Sequence, residues 1–265
     1  MNDLSLIEAL KPINWPTLVL VAARLSGLFL IAPLWSQQSI PKSVRGALVI
    51  VLSAAMLPSV SSAVLPEQWM LLPVPLLSEM MIGLAIGMVG AIFMWGITMA
   101  GEVMSLQMGL NLGEAIGLAE AGAPTGVGEL KTMLVIILYI TMDGHLILLQ
   151  GLADSFRVIA PGVAIRYTEG SNALVALSGS VFETGLRAAA PVTAALLLVN
   201  FGLAILNKAV PQLNAMSTAF PITMGVGLVV IGLSLPYLGR FVAGWTGGLG
   251  AQSAGIVDIF ATGAR

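Results

Sequence analysis

Apolar residues fall in six long runs along the chain, at about 17–35, 44–65, 72–101, 130–152, 182–206 and 216–239. Each approaches or exceeds the ~20 residues that cross a ~30 Å hydrocarbon layer. Lipid offers no partner to a free backbone N–H or C=O, so helices are the expected form. The connections carry turn formers: Gln37 to Pro41, Pro66 to Pro75, Gly122 to Gly128, Pro161 to Gly170, and Lys208 to Pro211. The pattern predicts an all-α, membrane-associated protein of about six long apolar helices. The longest connection without a strong helix signal runs from about Gly109 to Gly128.

The runs are not clean spans. Arg24, Glu79, Asp143 and His145 lie inside them or at their edges, and Pro33, Pro58, Pro191 and Pro221 interrupt them. A charge at the centre of a bilayer costs at least ~2.5–3.5 kcal/mol on insertion scales, so such groups face protein or water. Lys42 and Arg45 mark one connection and Arg157 and Arg166 another, three helices later. A simple serpentine would put these on opposite sides, against the bias of basic residues to one side. Some runs are therefore re-entrant, or the helices pack mainly on other protein.

Composition sharpens the class. The chain has 265 residues, 57% hydrophobic and only 9% charged, with mean hydropathy +0.98. Soluble domains carry about 25% charged residues, so a water-soluble enzyme is excluded. A net charge of −2 without a basic run argues against nucleic-acid binding. The absence of cysteine removes disulfides and thiolate chemistry, and a single histidine leaves no basis for a zinc site. No cofactor or metal is expected. Asp3, Glu8 and Lys11 precede the first run, and no cleavable signal peptide is expected.

Residues 80–128 hold 11 of the 30 glycines, and residues 80–108 hold seven of the 14 methionines. Gly83 and Gly87 form a G-x-x-x-G pair, which permits close helix approach but recurs by chance in Gly-rich spans. The methionines are either an adaptable wall or ordinary core and lipid-facing side chains. Gln107, Asn111 and Glu114 share one face if helical. That stripe lines a water-filled passage or belongs to a solvated loop at a membrane face. Asp143 aligns at helical spacing with Gln150 and Asp154, as a proton relay or a structural polar seam. Glu183 and Arg187 form an i, i+4 pair. Thr193, Asn200 and Asn207 recur every seven residues as a seam for helix association. Ser26-Gly27 and Ser178-Gly179 lack the surroundings of a nucleophile elbow, and neither a P-loop nor a dinucleotide fingerprint is present. No enzymatic activity is expected.

Short patterns in a fixed order give the chain a likeness. They are Arg24 to Phe29, Ala32-Pro33, Ile40-Pro41-Lys42 with Arg45, Ala100-Gly101-Glu102, and Gln107-Met108-Gly109-Leu110. Asp143-Gly144-His145-Leu146, Asp154-Ser155-Phe156 and Pro161-Gly162 follow. Leu206-Asn207-Lys208, Pro211-Gln212-Leu213-Asn214 and Phe220-Pro221 complete the set. Together they resemble the FliR family of the flagellar type III secretion export gate, of which an injectisome counterpart is a close relative.

The resemblance implies broken helical hairpins packed with FliP-type and FliQ-type subunits into a hetero-oligomeric helical channel. It implies a FliP-like part over 1–170 and a FliQ-like hairpin with a tail over 171–265. Contacts with FlhB-type and FlhA-type proteins, and unfolded export substrates in transit, come with it. So does a place in the bacterial inner membrane, within the flagellar basal body, part of the assembly being raised toward the periplasm. By the same likeness, residues 107–128 supply a channel plug, with Gln107, Met108, Gly109, Leu110, Asn111 and Glu114 as its root and body. Arg24, Glu102, Asn207, Lys208, Pro211, Gln212, Phe220 and Pro221 are implied in subunit contacts. Two positions depart from the family pattern. Ala115 to Glu120 lacks an aromatic-Asp-Pro sequence, and Lys208 replaces the usual arginine, giving up its planar fork. A different class remains open on the residues alone: a small proton-coupled transporter using Asp143, His145 and Asp154.

Overall fold

The computed structural model describes residues 14–37, 40–63, 73–110, 126–163, 167–209 and 215–262. Seven α-helices lie among them: α1 Trp15–Ile31, α2 Lys42–Met56, α3 Pro73–Met108, α4 Gly126–Thr141, α5 Gly144–Val158, α6 Tyr167–Ala209 and α7 Ala215–Thr262. A 3₁₀ turn, Leu57–Ser59, extends α2, and no strand occurs among the described residues. The all-α expectation holds. Five of the six apolar runs each correspond to one helix. The run at 130–152 is two, α4 and α5, with a 61° bend between them. Asp143 makes the break: it takes φ 55°, a left-handed conformation that aspartate tolerates better than most residues. Its N–H donates to the Ile140 carbonyl at 3.1 Å, closing α4.

The broken hairpins that the resemblance implies place helix breaks at Pro33, Pro191 and Pro221. Pro33 does follow the end of α1, whose C-cap is Ala32. Pro191 and Pro221 lie inside continuous helices, as does Pro236. A proline removes one backbone hydrogen bond and crowds one carbonyl. Helices of 43 and 48 residues absorb that local defect without ending.

Four helical stretches are long and apolar enough to cross a membrane: Lys42–Ser59, Pro73–Met108, Val181–Leu206 and Ala219–Ala261. The bent α4–α5 pair makes a fifth. Helix α1 has 17 residues and falls short of that length. The spans differ in what covers them. The most apolar window of α3 is 72% buried within the chain, against 6% for Lys42–Ser59 and 17% for the spans in α6 and α7. Helix α3 is thus mostly covered by the chain, while the other three spans leave their apolar sides exposed.

The chain packs as two compact units, each assembled from separated stretches. One comprises residues up to Ala91, His145–Ala176 and residues from Leu249 onward; the other comprises Ile92–Gly144 and Leu177–Gly248. In the first unit, α1 crosses α3 at backbone contact. A Cβ built on Gly83 would overlap the Arg24 carbonyl, and one on Gly27 would overlap the Met80 carbonyl. A Cβ on Gly87 would lie 2.9 Å from the Leu28 carbonyl oxygen. The G-x-x-x-G pair is therefore a true crossing point. Lipid tails are as apolar as leucine, so close packing, rather than exclusion of water, holds such helices together.

The second unit is built on Phe93 and Met94 of α3 and on Ile97, Ala100, Met104 and Met108, which follow at steps of three and four. Val135 of α4, Ala188, Ala189, Val192 and Leu196 of α6, and Ile231, Leu238 and Val242 of α7 close around them. Three of the seven clustered methionines are thus core filler. An unbranched thioether fits the uneven gaps that small alanines leave.

Candidate functional site

Two places in the structure concentrate polar chemistry. The first is a buried ionic knot in the first unit. Arg24, midway along α1, is fully buried, and so is Glu79 on α3. The Arg24 Nε donates to Glu79 Oε2 at 2.6 Å. Its Nη1 donates to Ser155 Oγ on α5 at 2.8 Å, and its Nη2 to the Ile159 carbonyl at 3.1 Å. The second carboxylate oxygen, Glu79 Oε1, accepts the Gly162 N–H at 2.9 Å. Gly162 takes φ 90°, which glycine adopts freely, and so aims its N–H at the carboxylate. The guanidinium carbon lies 4.1 Å from the centroid of the Phe156 ring, a cation–π contact. One charge pair thereby ties α1, α3, α5 and the turn after α5.

The opposite charges cancel, and the three guanidinium nitrogens and both carboxylate oxygens have hydrogen-bond partners. That is the condition under which a charge pair survives desolvation. Sequence reasoning flagged Arg24 and Glu79 separately as charges out of place but did not pair them. The signal was present: opposite charges in the first and third apolar runs, each costly in a membrane unless it meets the other. Arg24, implied by resemblance in subunit contacts, spends its donors inside the chain.

The second place is the end of α3, the root of the segment implied as a plug. Gly109 takes φ 76°. The Leu110 N–H donates to the Ser105 carbonyl at 3.0 Å, and the Gly109 N–H to the Leu106 carbonyl at 3.1 Å. This bond pair is a Schellman motif, with glycine where the left-handed residue must sit. The helix therefore stops at Met108, one residue past Gln107; Asn111 and Glu114 lie outside the described residues. Met108 is fully buried and Gln107 half-buried. The Gln107 Oε1 is shielded from solvent and has no hydrogen-bond partner among the described residues.

Helix α7 receives this root. The Thr223 hydroxyl reaches the Met108 carbonyl at 3.3 Å, sharing its proton with the Ala219 and Phe220 carbonyls at 3.0 and 3.2 Å. Gly227, one turn on, leaves room for the Met108 side chain, which a Cβ there would meet at 2.7 Å. Phe220 and Pro221 thus lie one turn or less from the residue that carries the root. Glu102 sits half-buried on α3, and Lys208 is exposed in the last turn of α6, where the helix dipole favours a cation. Asn207 lies in the same turn. Pro211 and Gln212 lie outside the described residues.

The Asp143 alignment does not survive the bend, because Asp143 precedes α5 and takes a left-handed conformation. Asp154 pairs instead with exposed Arg157 at 3.3 Å. Glu183 and Arg187 pair at 2.6 Å as their spacing predicts.

Four helices of membrane-spanning length among the described residues, five if the bent pair counts as one, define an α-helical membrane protein. The chain belongs to the bacterial export proteins, family 1, whose model matches residues 15–248. It is 30% identical over 245 residues to the flagellar biosynthetic protein FliR of Pectobacterium carotovorum, covering 91% of this chain and 90% of the relative. The FliR of Escherichia coli is 29% identical over 227 residues, covering 86% and 85%. The FliR of Bacillus subtilis is 25% identical over 223 residues, covering 82% and 85%.

Proposed function

We propose that this chain is a structural subunit of the flagellar type III export gate, through which unfolded flagellar proteins cross the inner membrane. The observation that carries the reading is the family match over residues 15–248, alongside relatives named as flagellar biosynthetic proteins. The fold supports a role by assembly. The span in α6 leaves Leu197, Leu198 and Phe201 exposed, and that in α7 leaves Val229 and Leu233 exposed. These faces suit sister subunits of FliP and FliQ type as well as lipid, with FlhB-type and FlhA-type proteins completing the gate. Residues 1–170 form the FliP-like part and 171–265 the FliQ-like hairpin, with part of the assembly raised toward the periplasm.

In this reading residues 107–128 plug the closed channel. The capped end of α3 and its seat on Thr223 and Gly227 give such a segment a fixed origin. Subunit contacts fall to Glu102 and to Asn207, Lys208, Pro211, Gln212, Phe220 and Pro221, with Arg24 acting indirectly through its hold on α1. Deleting residues 111–122, which spares the Gly109 cap, is expected to leave co-purification with the FliP-type and FliQ-type partners unchanged. Cells carrying the deletion should then leak small ions through the closed gate. A tight membrane with an assembled complex would refute the plug. Failure of the full-length chain to co-purify with those partners would refute the gate reading itself.

A further inference from the structure

The second unit carries a cleft of about 340 Å³ that the export reading leaves unused. Its walls bring together Arg187 and Glu183 of α6, Arg240, Phe241 and Trp245 of α7, and Phe93 of α3. Glu183 engages Arg187 at 2.6 Å. Arg240 is exposed and has no carboxylate partner among the described residues. The cleft therefore holds one uncompensated positive charge over an aromatic floor. Phe93 stacks on Trp245 with centroids 4.1 Å apart, and Phe241 lies 5.3 Å from Phe93.

Sequence places the cleft at a membrane boundary. Residues 188–207, between Arg187 and Lys208, carry no charged side chain, and neither do residues 219–239, before Arg240. Each stretch spans ~30 Å at ~1.5 Å per residue, the thickness of the hydrocarbon layer. Arg187 thus ends one apolar crossing, and Arg240 stands level with it across the cleft, as the sole charge between the uncharged stretches 219–239 and 241–257 of α7. Tryptophan beside them fits the headgroup zone, where one side of the ring is wet and the other apolar. From Arg240 toward the apolar interior of α7, Tyr237, Leu233 and Val229 follow at three, seven and eleven residues, one helix face. They are 41%, 76% and 62% exposed.

We propose that this cleft binds one anionic phospholipid. Its phosphodiester sits against Arg240 with the Glu183–Arg187 pair alongside, and an acyl chain lies along Tyr237, Leu233 and Val229. The charges match: one net positive charge meets one negative phosphodiester. The apolar stripe running from the charge into the membrane interior selects a lipid over a soluble anion or an acidic protein segment.

The test uses the full-length chain in detergent, titrated with phosphatidylglycerol or phosphatidylcholine and read by native mass spectrometry. Phosphatidylglycerol should bind in preference to phosphatidylcholine. Arg240→Gln should reduce its affinity about fivefold, from the ~1 kcal/mol that a basic residue contributes at an anionic surface. Arg240→Lys should retain most of it, and inorganic phosphate at millimolar concentration should not displace it. Equal binding of the two lipids to the unaltered chain overturns the proposal without recourse to a variant. Displacement by phosphate would make this a free-anion site and overturns it too. Loss of a protein partner on Arg240→Gln, with no lipid preference, would assign the cleft to an acidic segment of that partner.

Discussion

Replacing Glu79 with leucine is expected to destabilise the folded chain by about 3–5 kcal/mol, the cost of leaving a buried charge without its partner. Arg24 would keep its contacts to Ser155 and Ile159, but both are neutral acceptors. The Gly162 N–H would lose its acceptor as well. Four elements meet at this pair, so the loss should reach α1, α3, α5 and the turn after α5 together. The measurement is unfolding of the detergent-solubilised full-length chain by a titrated denaturing detergent, followed by circular dichroism. The double variant Arg24→Met/Glu79→Leu separates the charge from the packing. It removes both ions and keeps most of the volume, so it should recover most of the stability and could exceed the original, as replaced buried pairs do by about 1–4 kcal/mol. A double variant as unstable as Glu79→Leu would mean that the knot acts through its hydrogen-bond geometry, not its charge balance.

Gly83→Leu is expected to be at least as damaging. The side chain would be forced into the backbone of α1, with the Arg24 carbonyl carbon 2.8 Å and the Leu28 nitrogen 3.0 Å from its first carbon. Backbone atoms of a packed helix cannot rotate aside as a flexible side chain can. The two helices must separate, and Arg24 then draws away from Glu79, so one substitution removes both the crossing and the ion pair. Overpacking alone costs about 1–3 kcal/mol, and the broken pair adds to it. Gly232→Ala is the matched control, since nothing lies within 4 Å of its added carbon. It should leave stability unchanged or raise it by about 0.5–1 kcal/mol through helix propensity. Equal behaviour of the two glycine variants in the same unfolding assay would rule out the crossing as the cause.

These residues show how far the sequence could be read. The run length of apolar residues and the refusal of lipid to solvate a bare backbone determined an all-α membrane protein. Helical spacing was enough to pair Glu183 with Arg187, because both lie on one helix. The same local logic reaches only as far as Gly109, which is left-handed and ends α3 before Asn111 and Glu114. It failed for Asp143, whose left-handed conformation separates α4 from α5. Of the breaks it placed at Pro33, Pro191 and Pro221, the first follows the end of α1, while long helices carry the other two prolines without ending.

What the sequence by itself determined is everything carried by composition, run length and motif order: the helical class, the membrane setting and the family likeness. What only the tertiary structure decided is which distant groups meet. Arg24, Glu79, Ser155 and Gly162 are spread over 139 positions of the chain, and no local period links them. Their meeting depends on glycines that let α1 and α3 touch and on the turn after α5 that presents a free N–H. The burial of α3 is of the same kind. Its composition resembles that of the other spans, yet of the four long spans among the described residues it alone is mostly enclosed by the chain. Hydropathy measures whether a helix tolerates an apolar neighbour. Whether that neighbour is lipid or protein depends on packing, which is a property of pairs of helices and not of any one of them.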